Sequence, residues 1–395
     1  MRNRKESNAR ADALIIGGGV VGLAIARELA GRALRVTLVE RGRLAAEASH
    51  AAGGMLAPQA EADRADQFFQ LQSASRDLYP AFAASLRAET SIDIELEQTG
   101  TLYLALTAED EAELERRFLW QTRAGLSVER LTPDEVRSLE PALSPRVRLA
   151  LRFPLDWQVE NRRLTDALSA SVEARGVRVL TATQAQSISI EAGRVAGVET
   201  SRGYVAAGAV VVAAGAWTPF LRLDFNEGAR ARAPVVPQAQ HPQIVPVRGQ
   251  MLCFSQPSAL PLVRHVVYTP RGYVVPRRDG RLLAGSTTER AGFDKSVTAG
   301  GVHKVLAHAL EIAPAIGELA LFETWAGLRP CAEDEWPVLG ASASVPNLFY
   351  ATGHYRNGIL LAPLTAELVA DMITGGRATP ALDAFSPERF ERATA

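Results

Sequence analysis

Residues 12 to 40 read D-A-L-I-I-G-G-G-V-V-G-L-A-I-A-R-E-L-A-G-R-A-L-R-V-T-L-V-E. Ala13 to Ile16 is a short apolar run with the composition of a buried parallel strand. Gly17, Gly19 and Gly22 then give G-x-G-x-x-G. Val20 to Ala30 carries helical periodicity without proline, Gly31 closes that helix, and Arg35 to Val39 is a second apolar strand ending at Glu40. Gly17 permits the tight turn, Gly19 lets a pyrophosphate approach the backbone, and Gly22 lets the helix pack closely on the strand. The helix N-terminus offers free N–H groups and a positive dipole end to phosphates. A carboxylate where Glu40 stands accepts hydrogen bonds from ribose hydroxyls and disfavours a 2′-phosphate. The three glycines alone are a weak signal. Strand, helix, second strand and acid in register predict a dinucleotide-binding α/β unit.

The rest of the chain is read against that unit. Its 395 residues suggest two domains. Hydrophobic content of 47% and charged content of 22% are in the range of soluble globular proteins. A net charge of −1 gives no case for nucleic acid or an anionic membrane as partner. The uncharged run Ala13–Ala26 is shorter than the ~20 residues a bilayer needs. Strand plus phosphate loop explains it better than a signal peptide, so a cytoplasmic location is expected. Cys253 and Cys331 cannot make a disulfide framework, and no metal site is expected. Met1 to Ala11 is polar and basic and reads as a disordered tail.

Further on, 66–89 reads as a helix and 92–106 as two strands around Gly100. T-A-E-D and L-T-P-D-E open two more helices, with Thr132 as N-cap and Pro133 at its first position. A helix over 159–176 leads to strands near 177–180, 186–190, 195–200 and 205–214. Ala231 to Val247, with four prolines, reads as an irregular surface connection. An antiparallel sheet is expected from V-R-G-Q-M-L-C-F through R-L-L-A-G-S. The last quarter gives a strand at 348–351, a glycine loop and a helix.

E-A-S-H-A-A-G-G-M-L-A-P (47–58), V-V-A-A-G-A-W (211–217), P-V-R-G-Q (246–250), W-A-G-L-R-P (325–330) and A-T-G-H-Y-R-N-G-I-L-L-A-P (351–363) together resemble the flavin-dependent amino acid oxidase family of D-amino acid and sarcosine oxidases. The marks are those of its bacterial glycine oxidase branch, tied to thiamine biosynthesis. The resemblance runs from about Asp12 to the C-terminal helix. It implies a Rossmann-type FAD-binding domain (12–88, 152–222 and 324–395) interleaved with an α+β substrate domain on a large antiparallel sheet (89–151 and 223–323).

The resemblance also implies FAD rather than NAD. It puts Gly17, Gly19, Val20, Val21 and Gly22 at the diphosphate, and Glu40 and Arg41 at the adenosine. Ala48, Ser49, Gly53, Gly54 and Met55 then follow the cofactor, with Ala185 near the adenine and Ala214, Gly215, Trp217 and Gly327 alongside. His354, Tyr355, Arg356, Asn357, Gly358, Ile359 and Leu360 fall beside the flavin ring. A helix starting near Leu361 would aim its positive end at the flavin. Cys331 does not align with the cysteine that holds FAD covalently in some sarcosine oxidases, so the cofactor is expected to be non-covalent.

Arg329 matches the family's substrate-carboxylate anchor, where a guanidinium makes two parallel hydrogen bonds. Tyr273 matches a phenol donating to the same carboxylate, and Arg356 a second substrate contact. The alternative for Arg329 is a surface salt bridge, and for Tyr273 a sheet aromatic with a solvated hydroxyl. No side chain is assigned as catalytic, because the flavin carries the chemistry. Three functions stay open. The first is oxidation of glycine, sarcosine or small D-amino acids by molecular oxygen, giving imine or oxo acid, ammonia and hydrogen peroxide. The second is a D-amino acid dehydrogenase passing electrons to a quinone or protein. The third is a non-catalytic FAD-binding subunit of a larger assembly. A homo-oligomer, dimer or tetramer, is compatible with all three.

Overall fold

The computed structural model describes residues 10–226, 241–375 and 380–390. The chain runs β1 (Ala11–Ile16), α1 (Val20–Gly31), β2 (Val36–Val39), α2 (Ala48–Ala51), β3 (Met55–Leu56), α3 (Pro58–Glu61) and α4 (Gln67–Thr90). It continues with β4 (Thr101–Ala105), α5 (Ala108–Arg123), β5 (Glu129–Leu131), α6 (Pro133–Leu139), β6 (Leu149–Phe153), β7 (Trp157–Gln158), α7 (Asn161–Ala174) and β8 (Arg178–Leu180). Then come β9 (Ala185–Glu191), β10 (Arg194–Thr200), β11 (Gly203–Val212), β12 (Arg222–Asn226), β13 (Ile244–Ser255), β14 (Val266–Thr269), β15 (Gly272–Pro276) and β16 (Arg281–Gly285). Last are α8 (Ala299–Ile312), β17 (Ala320–Ala332), β18 (Val338–Ala341), β19 (Leu348–Thr352) and α9 (Gly358–Thr374).

Two large sheets result. In the first, β8, β2, β1, β11 and β19 lie side by side and parallel. This is the doubly wound order expected of a dinucleotide-binding unit. An antiparallel extension of β10 and β9 continues it, and β12 joins β9 in parallel. Helices α1, α7 and α9 cover the parallel core, whose apolar cluster includes Ile15, Leu23, Leu38, Val211, Leu361 and Val369. The second sheet has the order β17-β13-β16-β15-β14-β4-β6-β5. It is antiparallel except for β4 with β14.

Several local expectations need correction. Ala11 belongs to β1 and is buried, so the tail ends before it; residues 1–9 lie outside the described residues. Only one strand, β4, forms in 92–106; the stretch before it makes a single bridge, Glu97 to Gln158 of β7. Of the proline-rich connection, 231–240 lies outside the described residues. Its end is regular: Ile244–Val247 opens β13, and Pro246 pairs opposite Pro330. β17 pairs with β13 along its length, at the edge of the second sheet.

Local chemistry accounts for the helix starts. Thr107 with Asp110, and Thr132 with Glu135, form capping boxes, with Pro133 at the first position. α9 starts at Gly358, three residues before the expected Leu361. Its Pro363 has no N–H, which leaves the carbonyl of Ile359 without its intrahelical donor. The buried Tyr79 hydroxyl of α4 donates to that carbonyl instead, and Ser75 Oγ donates to Leu360 O at 2.7 Å. These two bonds pin the start of α9 to α4.

Candidate active site

A cavity of about 490 Å³ is lined from both sheets. Every residue assigned above to cofactor or substrate lines it, except Gly22 and Leu360. Gly22 acts through packing. A Cβ there would stand 1.9 Å from Gly17 O, so only glycine lets α1 sit this close to the turn. Leu360 is buried on the far side of the α9 start.

The diphosphate end is built of backbone. Gly17 has φ +113°, and a Cβ there would lie 2.3 Å from Ala213 O. At Gly19 the nearest atom to an added Cβ is Ser49 Oγ at 3.3 Å, so the approach to the helix start is bare. The first-turn N–H groups of α1 have no intrahelical acceptor. Ser49 Oγ takes one of them, Val20 N–H, at 2.9 Å. Glu40 accepts from Gly18 N–H and Gly42 N–H, each at 2.8 Å, which fixes its carboxylate at the rim. Arg41 lies 3.7 Å over the Trp217 ring and pairs with Glu47 at 2.5 Å. Further along, a Cβ at Gly327 of β17 would stand 2.4 Å from Ala51 Cβ. Glycine therefore lets the small-residue helix α2 lie against the second sheet. This cradle, open at Gly19 in front of the first turn of α1 and edged by the Glu40 carboxylate, fits the diphosphate and adenosine of FAD.

The other end is built of side chains from distant elements. Arg329, on β17, lies across Gly249 of β13: a Cβ at 249 would fall within 2.2 Å of the guanidinium. It donates to Ser286 Oγ at 2.6 Å and to Thr287 O at 3.2 Å, both uncharged. The other arginines lining the cavity each face a carboxylate. Arg41 has Glu47, Arg117 has Asp63 at 3.0 Å, Arg271 has Asp110 at 2.8 Å, and Arg356 has Glu61 at 3.7 Å. Among the described residues, no carboxylate pairs with Arg329. Tyr273 OH reaches Met251 Sδ at 3.4 Å, and its ring stands 5.4 Å from that of Tyr268.

Nearby titratable groups are set by burial. His354 Nε2 sits 3.1 Å from Thr365 Oγ1, and burial pushes the imidazole down to about 4, so it stays neutral. Asp156 accepts from Gln59 N–H at 3.1 Å and Ala60 N–H at 2.7 Å, holding α3 in place. Burial raises its carboxyl to about 7 against those two bonds. The sequence reading missed Glu61, Tyr268, Ser286 and Gly249. P-V-R-G-Q marked the place of Gly249, but nothing local linked it to Arg329. Neither cysteine lines the cavity.

Comparison with known proteins gives the family. The FAD dependent oxidoreductase family model, DAO, matches residues 12–372. The chain is 38% identical over 367 residues to a glycine oxidase of Geobacillus kaustophilus, covering 92% of this chain and 93% of that one. A crystal structure of glycine oxidase from that organism superposes with a TM-score of 0.87 at 37% identity, over 96% of this chain and 99% of the other. A ThiO/ThiG bifunctional protein of Synechocystis is 36% identical over 96% of this chain, which spans about half of that longer relative. The chain belongs to the FAD-dependent oxidoreductase family, and FAD is its cofactor.

Proposed function

We propose that this protein oxidises glycine and other small amines or amino acids, such as sarcosine and small D-amino acids. Molecular oxygen is the acceptor, and hydrogen peroxide, ammonia (or methylamine) and an imine or oxo acid are the products. Names of relatives support the reaction, as the ThiO/ThiG relative does a supply role in thiazole synthesis. The observation that carries the reading is Arg329, a cavity cation held by neutral acceptors and left to bind a carboxylate. Arg329 anchors the substrate carboxylate, Tyr273 donates to it, and Arg356 contacts the substrate from the loop before α9. Gly17 to Gly22, Glu40 and the small residues of α2 hold the cofactor.

When bound, FAD supplies two-electron redox chemistry. The chain's own residues orient Cα, exclude water and fix the carboxylate. The cofactor is non-covalent in this reading, supported by the absence of both cysteines from the cavity, and acid precipitation should leave it in the supernatant. The proposed FAD domain is 12–88, 152–222 and 324–395, with 89–151 and 223–323 binding substrate. We place the protein in the cytoplasm as a homo-oligomer, to be read by fractionation and light scattering. Among the described residues no helix is long and apolar enough to cross a membrane.

The test is addition of glycine to the yellow holoprotein without oxygen. Bleaching, then recovery of colour with peroxide release in air, is expected. Bleaching without reoxidation by oxygen would make it a dehydrogenase. No bleaching by glycine, sarcosine, D-alanine or D-proline overturns the reading.

A further inference from the structure

The substrate end of the cavity holds a second group with an unmet bond. Glu61, at the end of α3, is 16% exposed at its side chain. Its Oε1 accepts from Tyr268 OH at 3.2 Å. Its Oε2 is buried and has no hydrogen-bond partner; Arg356 Nε stands 3.7 Å away, beyond hydrogen-bond reach. Such an oxygen costs free energy unless something donates to it. The Tyr268 ring that holds Glu61 lies 5.4 Å from that of Tyr273, the proposed carboxylate donor. Among the described residues the cavity therefore presents a cation with no carboxylate partner, Arg329, and a carboxylate oxygen with no hydrogen-bond donor, Glu61 Oε2, to one ligand. An amino acid zwitterion carries the two complementary charges.

An amino acid reaches the site as an ammonium, but its Cα–H is released as hydride only when nitrogen has a free electron pair. We propose that Glu61 receives the substrate's ammonium group and takes its proton, an inference that rests on the oxidase reading above. One N–H bond breaks, one O–H bond forms on Oε2, and the electron pair stays on nitrogen. No oxidant or reductant is involved. Glu61 and Arg356 also line a second recess of about 300 Å³, edged by Asp334 and Glu335.

Asp63, Asp66, Asp334, Glu335 and Tyr355 line the recess beside Glu61. Tyr268 faces Glu61 from β14, Arg356 from the loop before α9, and Asp156 from the turn after β6. Arg117 of α5 binds the carbonyls of Gln59 and Ala62 on either side of it.

The experiment is anaerobic, rapid-mixing flavin reduction of the holoenzyme by subsaturating glycine across neutral and alkaline pH. Glu61→Gln keeps the shape and removes the proton acceptor. Its rate should fall roughly 100-fold at neutral pH, the lower end of the usual range for a positioned base. The rate should recover as pH rises toward the range where free glycine loses its own proton. Acetate, with a carboxylate and no amine, should perturb the flavin spectrum with unchanged or tighter affinity. Tyr268→Phe removes the hydrogen bond that positions Glu61, so its rate should also fall at neutral pH and recover at alkaline pH. A Glu61→Gln profile of the same shape as wild type overturns the proposal. So does loss of acetate affinity, or, if Glu61→Gln does not fold, a wild-type rate at neutral pH in Tyr268→Phe. A wild-type protein that glycine does not reduce at any pH overturns the oxidase reading itself.

Discussion

The two ends of the cavity are made in opposite ways. At the diphosphate end, Gly17 to Gly22 and the first turn of α1 come from one continuous segment. They work through backbone N–H groups and the absence of Cβ atoms. At the substrate end, Arg329, Ser286, Tyr273 and Glu61 come from separate elements and work through side chains. A backbone cradle tolerates almost any exposed neighbour but no added methyl group. A side-chain clamp depends on each member's charge and on bare positions such as Gly249 that let it lie flat. The two ends should therefore fail differently when substituted.

Arg329→Ala should show the largest difference. Losing one partner of a desolvated charge pair costs about 2–5 kcal/mol. At ~1.4 kcal/mol per tenfold, that is roughly 30- to several-thousand-fold in kcat/KM. Stopped-flow reduction by glycine should be crippled, reduction by a simple amine without a carboxylate barely changed, and FAD content normal. Arg329→Lys should not rescue it, because the planar fork is lost. Equal loss with both substrates would move the clamp to Arg356.

His354 tests the junction between the two ends. Its folded value, about 4, lies below the unfolded value of 6.5, so the unfolded chain binds the proton first. Its stabilising contribution is therefore present above pH 6.5 and lost as pH falls through about 4. The full loss is about 3 kcal/mol. His354→Gln should flatten the acid limb of a thermal-stability profile over that window; an unchanged slope would remove His354 from the account.

At the adenosine end the expected effects shrink. Glu40→Ala should weaken FAD binding by about 1.5–3 kcal/mol, the range for hydrogen bonds to a charged group. Because Glu40 also holds Gly18 and Gly42, Glu40→Gln belongs beside it in the titration. An unchanged dissociation constant in both would end the ribose role. Ser49→Ala removes the acceptor for Val20 N–H and should cost the apoprotein about 0.5–2 kcal/mol, measurable by denaturant unfolding. No change there would mean solvent serves that N–H equally well.

The glycine fingerprint, β1, α1, β2 and Glu40 were legible in the sequence because their interactions are local. The turn, the helix and the β1–β2 pairing all close within the 29-residue stretch quoted above, so spacing encodes them. The capping boxes at Thr107 and Thr132 were legible for the same reason. The family motifs pointed to Arg329, Tyr273 and Arg356, but not to what distinguishes them. That needed the register of β13 on β17, which puts Gly249 under the Arg329 guanidinium, and the docking of α3 beside β14, which hands Glu61 to Tyr268 and Arg356. The early start of α9 likewise depended on Tyr79, 280 residues away, replacing the donor that Pro363 lacks. Which charge in the cavity is neutralised and which stays free is a property of neighbours brought together by folding. Sequence spacing carries no record of it, because the partners are chosen in three dimensions and not along the chain.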